Sequence, residues 1–409
     1  ATSYPLKVSE DEYLSFINDF QFNDTKDQEI VSKDIRKDLS LIKPMNRLLC
    51  GDVGFGKTEI AMRAAFISSL SNKQTIILSP STVLTDQHFE SFTKRFKNFP
   101  ITIKKLSRNT SLKAKGSLYS DFKEKKIDIL IGTHALFQKD VQFHNLGFVV
   151  IDEQHRFGVN QRQKLLSKST NPNLMAMTAT PIPRTLAITY NGDMDLSIID
   201  ELPKNRPDIH TSFIEKDNLS TAFNFIREKV ESGGQTIIVY PLINESEKQD
   251  LSAAVESYEY LSNSIFPDLN VGLMHGQLED ENKNNEMQKF MEGDIDILVS
   301  TTVVEVGIDN PNVNVMLINN SERFGLSQLH QLRGRVGRGS LESYCLLCSD
   351  SESTKTKERL SIIVNSRNGF EIADEDLKLR GPGEFFGEKQ SGFVKFKIAD
   401  LISDGPIIR

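Results

Sequence analysis

Short apolar segments rich in β-branched residues recur along the chain, and polar or helix-forming segments separate them. Their positions are 46–50, 75–79, 127–132, 148–152 and 174–178 in the first half, and 235–240, 270–275, 295–300, 314–319 and 343–348 in the second half. Apolar residues run continuously through each segment, which is typical of strands buried on both faces of a parallel sheet. The pattern therefore predicts an α/β fold with two parallel sheets, each covered by helices.

The length and one polar stretch divide the chain into parts. A chain of 409 residues is too long for one ordinary core. The stretch DELPKNRPDIH at 200–210 contains two prolines and lies between the two groups of strands. We predict a lead-in, a first α/β domain, a second α/β domain and a small appendage, at 1–45, 46–205, 206–350 and 351–409.

The composition is that of a globular protein, with 38% hydrophobic and 26% charged residues. No apolar run approaches the roughly 20 residues that span a membrane, and the start has no signal-peptide pattern. The three cysteines, Cys50, Cys345 and Cys348, are too few for a disulfide framework, and nothing completes a zinc site around the CLLC sequence. We expect a cytoplasmic protein without disulfides, structural zinc or membrane segments.

The net charge of −7 superficially disfavours a nucleic-acid partner, but charges can be segregated along a chain. Segment 94–115 carries eight Lys and Arg residues and no acid. A solvated surface, the plainer interpretation, would normally intersperse both signs. The segment therefore favours contact with phosphates.

The sequence GDVGFGKT at 51–58 follows a predicted strand, precedes a predicted helix and fits the pattern G-x-x-x-x-G-K-[ST]. Glycines such as Gly51, Gly54 and Gly56 let backbone N–H groups curl around phosphate oxygens. Lys57 would then neutralise the β- and γ-phosphates, and the Thr58 hydroxyl would face Mg²⁺. We predict a site for ATP with Mg²⁺.

A second polar cluster, in FVVIDEQH at 148–155, follows another predicted strand. Asp152 would hold the hydrated Mg²⁺, and Glu153 would orient and deprotonate the attacking water. Such an acidic pair could also simply cap a helix. In open parallel sheets the carboxyl ends of the strands share one edge, so this pair should lie near the phosphate loop.

Five motifs stand in the order found in superfamily 2 helicases and translocases, which the chain resembles. They are GDVGFGKT, DEQH, TAT at 178–180, TTVVEVGID at 301–309 and QLRGRVGR at 331–338. The resemblance implies two RecA-like lobes that bind ATP between them and move along nucleic acid.

The resemblance also implies roles for individual residues. Arg335 and Arg338 would be arginine fingers, and Gly307 and Asp309 would line the nucleotide. Residues that couple the lobes would be Gln154, His155, Thr178, Thr180 and Gln331. In FNDTKDQ at 22–28, Phe22 would stack on adenine and Gln28 would read it, and a polar helix start is the alternative interpretation of this short stretch.

Strand-tracking loops of the family resemble PSTVLTDQ (80–87), GTHALFQ (132–138), HGQL (275–278) and TTVVE (301–305). The resemblance implies that residues in these loops donate hydrogen bonds to DNA phosphates and do not read the bases. We expect these donors to be Thr82, Gln87, Thr133, His134, His275, Gly276, Thr301 and Thr302. Arg108 of the basic segment should also contact DNA phosphates.

Within the superfamily the chain resembles two bacterial families. Up to about residue 130 it looks most like Mfd, the transcription-repair coupling factor, and from there on it is similar to RecG, the branch-migration helicase. The leading functional prediction is a nucleoid-associated, ATP-driven motor that acts on double-stranded or branched DNA in repair and recombination.

The alternative prediction is a motor that acts on stalled RNA polymerase. A third possibility, from a different class of protein, is a DNA-binding scaffold that binds ATP without hydrolysing it. The C-terminal stretch argues against an RNA helicase. The 45 residues before the first domain predict an isolated motor without a fork-splitting or polymerase-binding module.

The glycine-rich stretch LKLRGPGEFFGEKQSG at 377–392 follows a predicted helical segment at 354–377. It resembles the translocation motif that RecG and Mfd share, in which a helical hairpin and a following loop convert lobe closure into movement. The resemblance implies that Arg380, Glu384 and Gln390 make the coupling contacts.

Overall fold

The computed structural model describes residues 2–107, 110–138, 140–158, 169, 171–179, 194–203, 207–241, 247–301 and 310–385. The chain divides into two compact units, with the boundary between Pro203 and Lys204. Each unit is built around one sheet.

The first unit contains a seven-stranded parallel sheet. Its strands are β1 (Asn46–Gly51), β2 (Gln74–Leu78), β3 (Ile103–Leu106), β4 (Ile129–Gly132), β5 (Leu146–Ile151), β6 (Asn173–Thr178) and β7 (Asp195–Ile199). Its described helices are α1 (Glu10–Asn18), α2 (Lys26–Leu39), α3 (Lys57–Leu70), α4 (Thr82–Arg95) and α5 (Leu112–Lys123). The strand order is β3-β4-β2-β5-β6-β1-β7, and the described pairings are parallel.

The core of the first unit holds α3 firmly against the sheet. Leu49, Ile77 and Val150 on three of the strands are at most 1% exposed and belong to the same buried cluster as the residues of α3. Phe66 of α3 stacks on Phe16 of α1, with ring centroids 4.2 Å apart. Burying one such side chain contributes about 2 kcal/mol. Because α3 begins at the phosphate loop, this packing also fixes the loop.

The second unit contains a six-stranded parallel sheet. Its strands are β8 (Ile209–Glu215), β9 (Gln235–Val239), β10 (Val271–Met274), β11 (Ile297–Ser300), β12 (Val313–Ile318) and β13 (Ser343–Ser349). Its described helices are α6 (Leu219–Glu231), α7 (Glu247–Tyr260), α8 (Asp280–Glu292), α9 (Leu326–Arg333), α10 (Thr354–Asn365) and α11 (Gly369–Phe385). The strand order is β10-β11-β9-β12-β13-β8.

Every apolar segment singled out in the sequence forms a strand, which confirms the prediction of two parallel α/β sheets. Three strands, β3, β7 and β8, were not predicted. All three lie at sheet edges, where part of the strand faces solvent. Their polar residues therefore interrupt the continuous apolar run on which the prediction depended.

Residues 354–385 form a helical hairpin, α10 and α11, packed on α9. Arg333 at the end of α9 donates to the carbonyl oxygens of Ile363 (2.7 Å) and Ser366 (2.8 Å), which join the hairpin to the second unit. Helix α11 continues to Phe385, eight residues beyond the helical segment predicted from the sequence (385 against 377). The start of the glycine-rich stretch is therefore helix rather than loop.

The cysteines are buried and have free thiols. Cys345 and Cys348 lie on β13, and burial raises the pKa of Cys345 to about 12 and that of Cys348 to about 11. Both are therefore thiols rather than thiolates at neutral pH. Within the described residues, the helices are too short or too polar to cross a membrane.

Candidate nucleotide site in the first unit

The register of the first sheet brings several strand ends to one edge. Leu78 of β2 pairs with Ile151 of β5, and Cys50 of β1 pairs with Thr178 of β6. These strands are parallel, so the segments that follow their carboxyl ends lie side by side. The phosphate loop and the acidic pair 152–153 therefore share this edge, as the sequence predicted.

The phosphate loop connects β1 to α3. Gly54 and Gly56 have φ angles of 82° and 80°, in the left-handed region that favours glycine. A Cβ at Gly56 would also collide with Nε2 of Gln28. The loop leads into the amino terminus of α3 at Lys57, where unpaired backbone N–H groups and the helix dipole favour an anion.

Lys57 is buried inside the loop. Its Nζ donates to the carbonyl oxygens of Gly51 (2.7 Å) and Asp52 (2.8 Å). Burial lowers the pKa of Lys57, and the charges of Glu153, Asp52 and Asp152 oppose that shift. Because its described hydrogen bonds go to carbonyl oxygens, a phosphate oxygen can replace one of them without breaking an ion pair.

Asp152 follows β5 and has both carboxylate oxygens engaged. Its Oδ2 lies 2.8 Å from Nε2 of His88, and its Oδ1 accepts a hydrogen bond from the backbone N–H of Glu153 at 3.0 Å. Burial acts to raise the pKa of Asp152, but the His88 hydrogen bond and the Lys57 charge outweigh it, so the pKa lies below its ordinary value. An ionised carboxylate and the hydroxyl of Thr58 are hard oxygen ligands that suit Mg²⁺.

Glu153 adopts an unusual backbone conformation, with a φ of 49°. A non-glycine residue in this region carries strain of about 1–3 kcal/mol, which is often found at functional sites. Its Oε2 accepts a hydrogen bond from the backbone N–H of Ala179 at 3.4 Å. Ala179 is the middle residue of the TAT motif, next to buried Thr178, so the acidic pair and this motif are in contact.

Gln28 connects the lead-in segment to the phosphate loop. Its Oε1 accepts from the backbone N–H of Thr25 at 2.9 Å and its backbone N–H donates to Thr25 Oγ1, which forms the capping box of α2. Its Nε2 donates to the carbonyl oxygen of Phe55 at 2.9 Å. Gln28 therefore caps the start of α2, and reading adenine would require exchanging one of these bonds. Phe22 is 64% exposed, so its ring is available for stacking.

A buried ionic network stabilises the same region, and sequence reasoning missed it. Arg63 of α3 donates to both oxygens of Asp24 (2.7 and 2.8 Å) and to Glu59 (3.0 Å). Arg95 of α4 donates to both oxygens of Glu59 at 3.0 Å. Arg95 belongs to the basic segment 94–115 for which phosphate contacts were predicted, so at this position the prediction is wrong. Exposed lysines of that segment are Lys94, Lys97, Lys104, Lys105 and Lys113.

The second unit carries the residues predicted to be arginine fingers. Arg335 is buried and Arg338 is half-buried, in the turn after α9, where Gly337 has a φ of 75°. Gln331, predicted to couple the lobes, is buried on α9. In the first unit, Gln154 begins a short 3₁₀ helix, and its Oε1 is buried without a hydrogen-bond partner among the described residues.

The predicted DNA contacts differ in exposure. His134 and Gly276 are exposed, and Thr82, Gln87 and His275 are half-buried. Burial and the charge of Lys283 lower the pKa of His275, which favours its neutral form. Thr133 and Thr301 are both 2% exposed, so contact of either hydroxyl with DNA requires a rearrangement.

Several predicted positions lie outside the described part of the chain. These are Arg108, Thr180, Thr302, Gly307, Asp309 and Gln390. The side chains of three further residues are likewise outside it, although their backbone is described: His155, Arg380 and Glu384.

Family models match most of the chain. The DEAD/DEAH box helicase model matches residues 25–188, the helicase conserved C-terminal domain matches 217–340, and domain 3 of ATP-dependent DNA helicase RecG, C-terminal part, matches 366–409. Together with the two parallel sheets and the phosphate loop, these matches show that the chain belongs to the superfamily 2 helicases.

Within this superfamily the chain is RecG-like over nearly its whole length. It is 48% identical to the RecG helicase of Thermotoga maritima over 400 residues, covering 98% of this chain and 51% of that protein. The RecG helicase of Bacillus subtilis is 45% identical over 398 residues, with coverages of 97% and 58%. The chain therefore spans about half the length of these curated relatives.

Solved structures also show the similarity to RecG. The structure of RecG bound to a three-way DNA junction matches with a TM-score of 0.83 and 43% identity, covering 100% of this chain and 53% of that chain. Yeast Dbp5 bound to RNA and ADP BeF3 matches with a TM-score of 0.63 at 18% identity, covering 91% and 94%, which shows the fold alone. These comparisons do not favour the Mfd-like alternative.

Proposed function

We propose that the chain is the motor of a RecG-like, ATP-dependent DNA translocase that acts on branched double-stranded DNA. The observation that carries the proposal is the common sheet edge of the first unit. There the phosphate loop with buried Lys57 lies beside the ionised Asp152 and the strained Glu153. The similarity to RecG over nearly the whole chain supports DNA as the track.

The residues present fit ATP with Mg²⁺. Left-handed glycines line the loop, the Lys57 ammonium rests on replaceable carbonyl partners, and Thr58 and Asp152 offer hard oxygens. When bound, Mg²⁺ neutralises charge on the β- and γ-phosphates. Lys57 would bind the same phosphates, while Asp152 and Thr58 would hold the cation.

Glu153 would orient the attacking water and accept its proton. Its backbone is fixed by the left-handed turn, and the N–H of Ala179 holds one carboxylate oxygen. A carboxylate held in this way has little conformational freedom to lose when the water is positioned. The contact with Ala179 supports a role for motif 178–180 in reporting the state of the nucleotide. In the second unit, Arg335 and Arg338 would serve as the arginine fingers, with Gly307 and Asp309 lining the nucleotide.

On the DNA side, the polar residues that follow the strands would contact phosphates without reading bases, which suits a motor that moves irrespective of sequence. His134, Gly276, Thr82 and Gln87 are the accessible candidates among the described residues. The four-part division at 45, 205 and 350 remains our proposal for domain organisation. We place the protein at the nucleoid in the bacterial cytoplasm, since its relatives are bacterial RecG proteins.

Triplex displacement tests the proposed function directly. A third strand is annealed to a linear duplex and to one arm of a three-way junction, and its release is followed with ATP or with a non-hydrolysable analogue. We expect release only with ATP, and more efficiently on the junction. Absence of ATP-dependent release on every substrate, with DNA binding retained, would instead establish a DNA-binding scaffold.

A further inference from the structure

His88 links helix α4 to the carboxylate predicted to hold Mg²⁺. It is 6% exposed, and its Nε2 lies 2.8 Å from Oδ2 of Asp152, although the two residues are 64 positions apart in sequence. An ionised carboxylate only accepts hydrogen bonds, so the imidazole Nε2–H is the donor. The ring of Phe92, one turn later on α4, packs edge-on against the imidazole, with centroids 6.5 Å apart.

The helix that carries His88 is fixed at its start. Ser81 caps α4 by accepting from the backbone N–H of Leu84 at 3.2 Å. Thr85 Oγ1 bonds the Ser81 carbonyl at 2.9 Å and Ser79 Oγ at 2.5 Å, which ties the first turn of α4 to the end of β2. His88 lies one turn beyond Thr85, so a displacement of this first turn also displaces the imidazole.

The first turns of α4 also carry two of the residues proposed to contact DNA. Thr82 is the first residue of the helix, and Gln87 immediately precedes His88. A phosphate bound at Thr82 or Gln87 and a cation bound at Asp152 would therefore both act on the first turns of α4. Energetic coupling of this kind is reciprocal, so each ligand changes the affinity for the other equally.

We infer that His88 is a positioning residue that orients Asp152 towards the metal ion and connects the metal site to the DNA contacts of α4. The inference rests on the proposed function, because it takes Asp152 to be a metal ligand and α4 to be a DNA contact. Hydrogen bonds to metal-binding carboxylates commonly change metal affinity by about 10–100-fold.

The experiment measures Mn²⁺ binding to the ADP-bound protein by electron paramagnetic resonance, with and without duplex DNA. His88→Leu removes the donor, whereas His88→Gln retains an amide N–H at the position of Nε2. His144→Leu is the matched control, because His144 is exposed elsewhere in the first unit. Thermal unfolding of each variant identifies any loss of folding.

We expect Mn²⁺ affinity to fall about tenfold in His88→Leu and to stay within about threefold of wild type in His88→Gln and His144→Leu. DNA should strengthen Mn²⁺ binding to the wild type and to His88→Gln, but not to His88→Leu. Unchanged affinity in folded His88→Leu, or equal losses in the Leu and Gln variants, would overturn the positioning role. Absence of a DNA effect in the wild type would overturn the connection. The Mn²⁺-binding measurements do not require ATP turnover. Failure of the proposed function would appear as absent phosphate release by the wild type, so it is distinguishable from failure of the positioning role.

Discussion

The two units share one scaffold and differ at the edge where chemistry is done. With β7 set aside, their strand orders correspond one to one, with β2 matching β9 and β5 matching β12. Even the buried glutamines at the amino ends correspond. Gln74 Nε2 donates to the carbonyls of Phe122 (2.7 Å) and Ile127 (2.9 Å), and Gln235 Nε2 donates to those of Phe290 (2.7 Å) and Ile295 (2.6 Å).

The correspondence extends to the turn that carries the acidic pair. After β5, Glu153 adopts a φ of 49° before a short 3₁₀ helix, and after β12, Asn320 adopts a φ of 46° before another. The acids Asp152 and Glu153 in the first unit thus match the amides of residues 319–320 in the second. The backbone is retained while the carboxylates are replaced, so the turn alone does not make a metal site.

The phosphate loop marks the second difference. Between β1 and α3 lies a loop with two left-handed glycines, whereas β8 is joined to α6 by the 3₁₀ helix Lys216–Asn218, which contains no glycine. The same order of strands can therefore carry a phosphate loop after its first strand or a short 3₁₀ helix there, depending on a few residues at the strand end. Function resides in that edge rather than in the fold.

The largest effect is expected at Lys57. Lys57→Ala removes the buried ammonium and should lower ATP turnover by about a thousandfold, because charge stabilisation dominates phosphoryl transfer. The matched change in the second unit, Lys216→Ala, affects an exposed lysine 3.3 Å from Asp350 and should change turnover less than about twofold. Steady-state phosphate release with DNA present measures both, and similar losses would erase the distinction between the units.

The acidic pair gives the next largest effect. Glu153→Gln should bind ATP normally but hydrolyse it about a hundredfold more slowly, because the amide cannot accept the proton of the water. Asn320→Gln, at the corresponding turn, is the control and should retain turnover. Nucleotide affinity by calorimetry and single-turnover hydrolysis separate binding from chemistry. Normal hydrolysis by Glu153→Gln would remove this residue from its proposed role.

Because the two units share one scaffold, we expect matched substitutions of their buried glutamines to lower stability equally. Gln74→Leu and Gln235→Leu each remove two hydrogen bonds from a buried amide to backbone carbonyl oxygens and should lower the free energy of unfolding by about 3 kcal/mol. Urea titration followed by circular dichroism measures both variants. A large loss in one unit and none in the other would show that the two glutamines are not equivalent.

The smallest effect is expected at the exposed ring of Phe22. Phe22→Ala should raise the KM for ATP about fivefold and leave kcat nearly unchanged, since a stacking contact of about 1 kcal/mol binds ground state and transition state alike. The control is Tyr260→Ala, an aromatic residue of the second unit that is 57% exposed. Equal KM values for Phe22→Ala and wild type would argue against stacking on adenine.

The sequence was sufficient for the central strands because both of their faces are buried and their apolar runs are continuous. It was insufficient for the edge strands β3, β7 and β8, whose exposed positions are polar. It was also insufficient for α11, where the glycine-rich start of 377–392 is helical to Phe385. Local composition there favours a loop, and packing of the hairpin on α9 prevails.

The candidate site also has features that the sequence could predict and features that it could not. The phosphate loop and the acidic pair are contiguous in sequence and could be recognised with their order along the chain. His88 and Asp152 are 64 positions apart, and Arg95 and Glu59 are 36 apart, so no local pattern signals either contact. Arg95 shows the consequence, because a basic residue in a one-sign segment is in fact neutralised by an acid on another helix.

Phosphate release by the wild-type chain, with and without a three-way DNA junction, tests most directly whether the first unit is the engine of a DNA motor. We predict slow hydrolysis of ATP without DNA, stimulation of about tenfold or more by the junction, and loss of both activities in Lys57→Ala. Binding of ATP and of the junction with no hydrolysis in their presence would contradict the proposal.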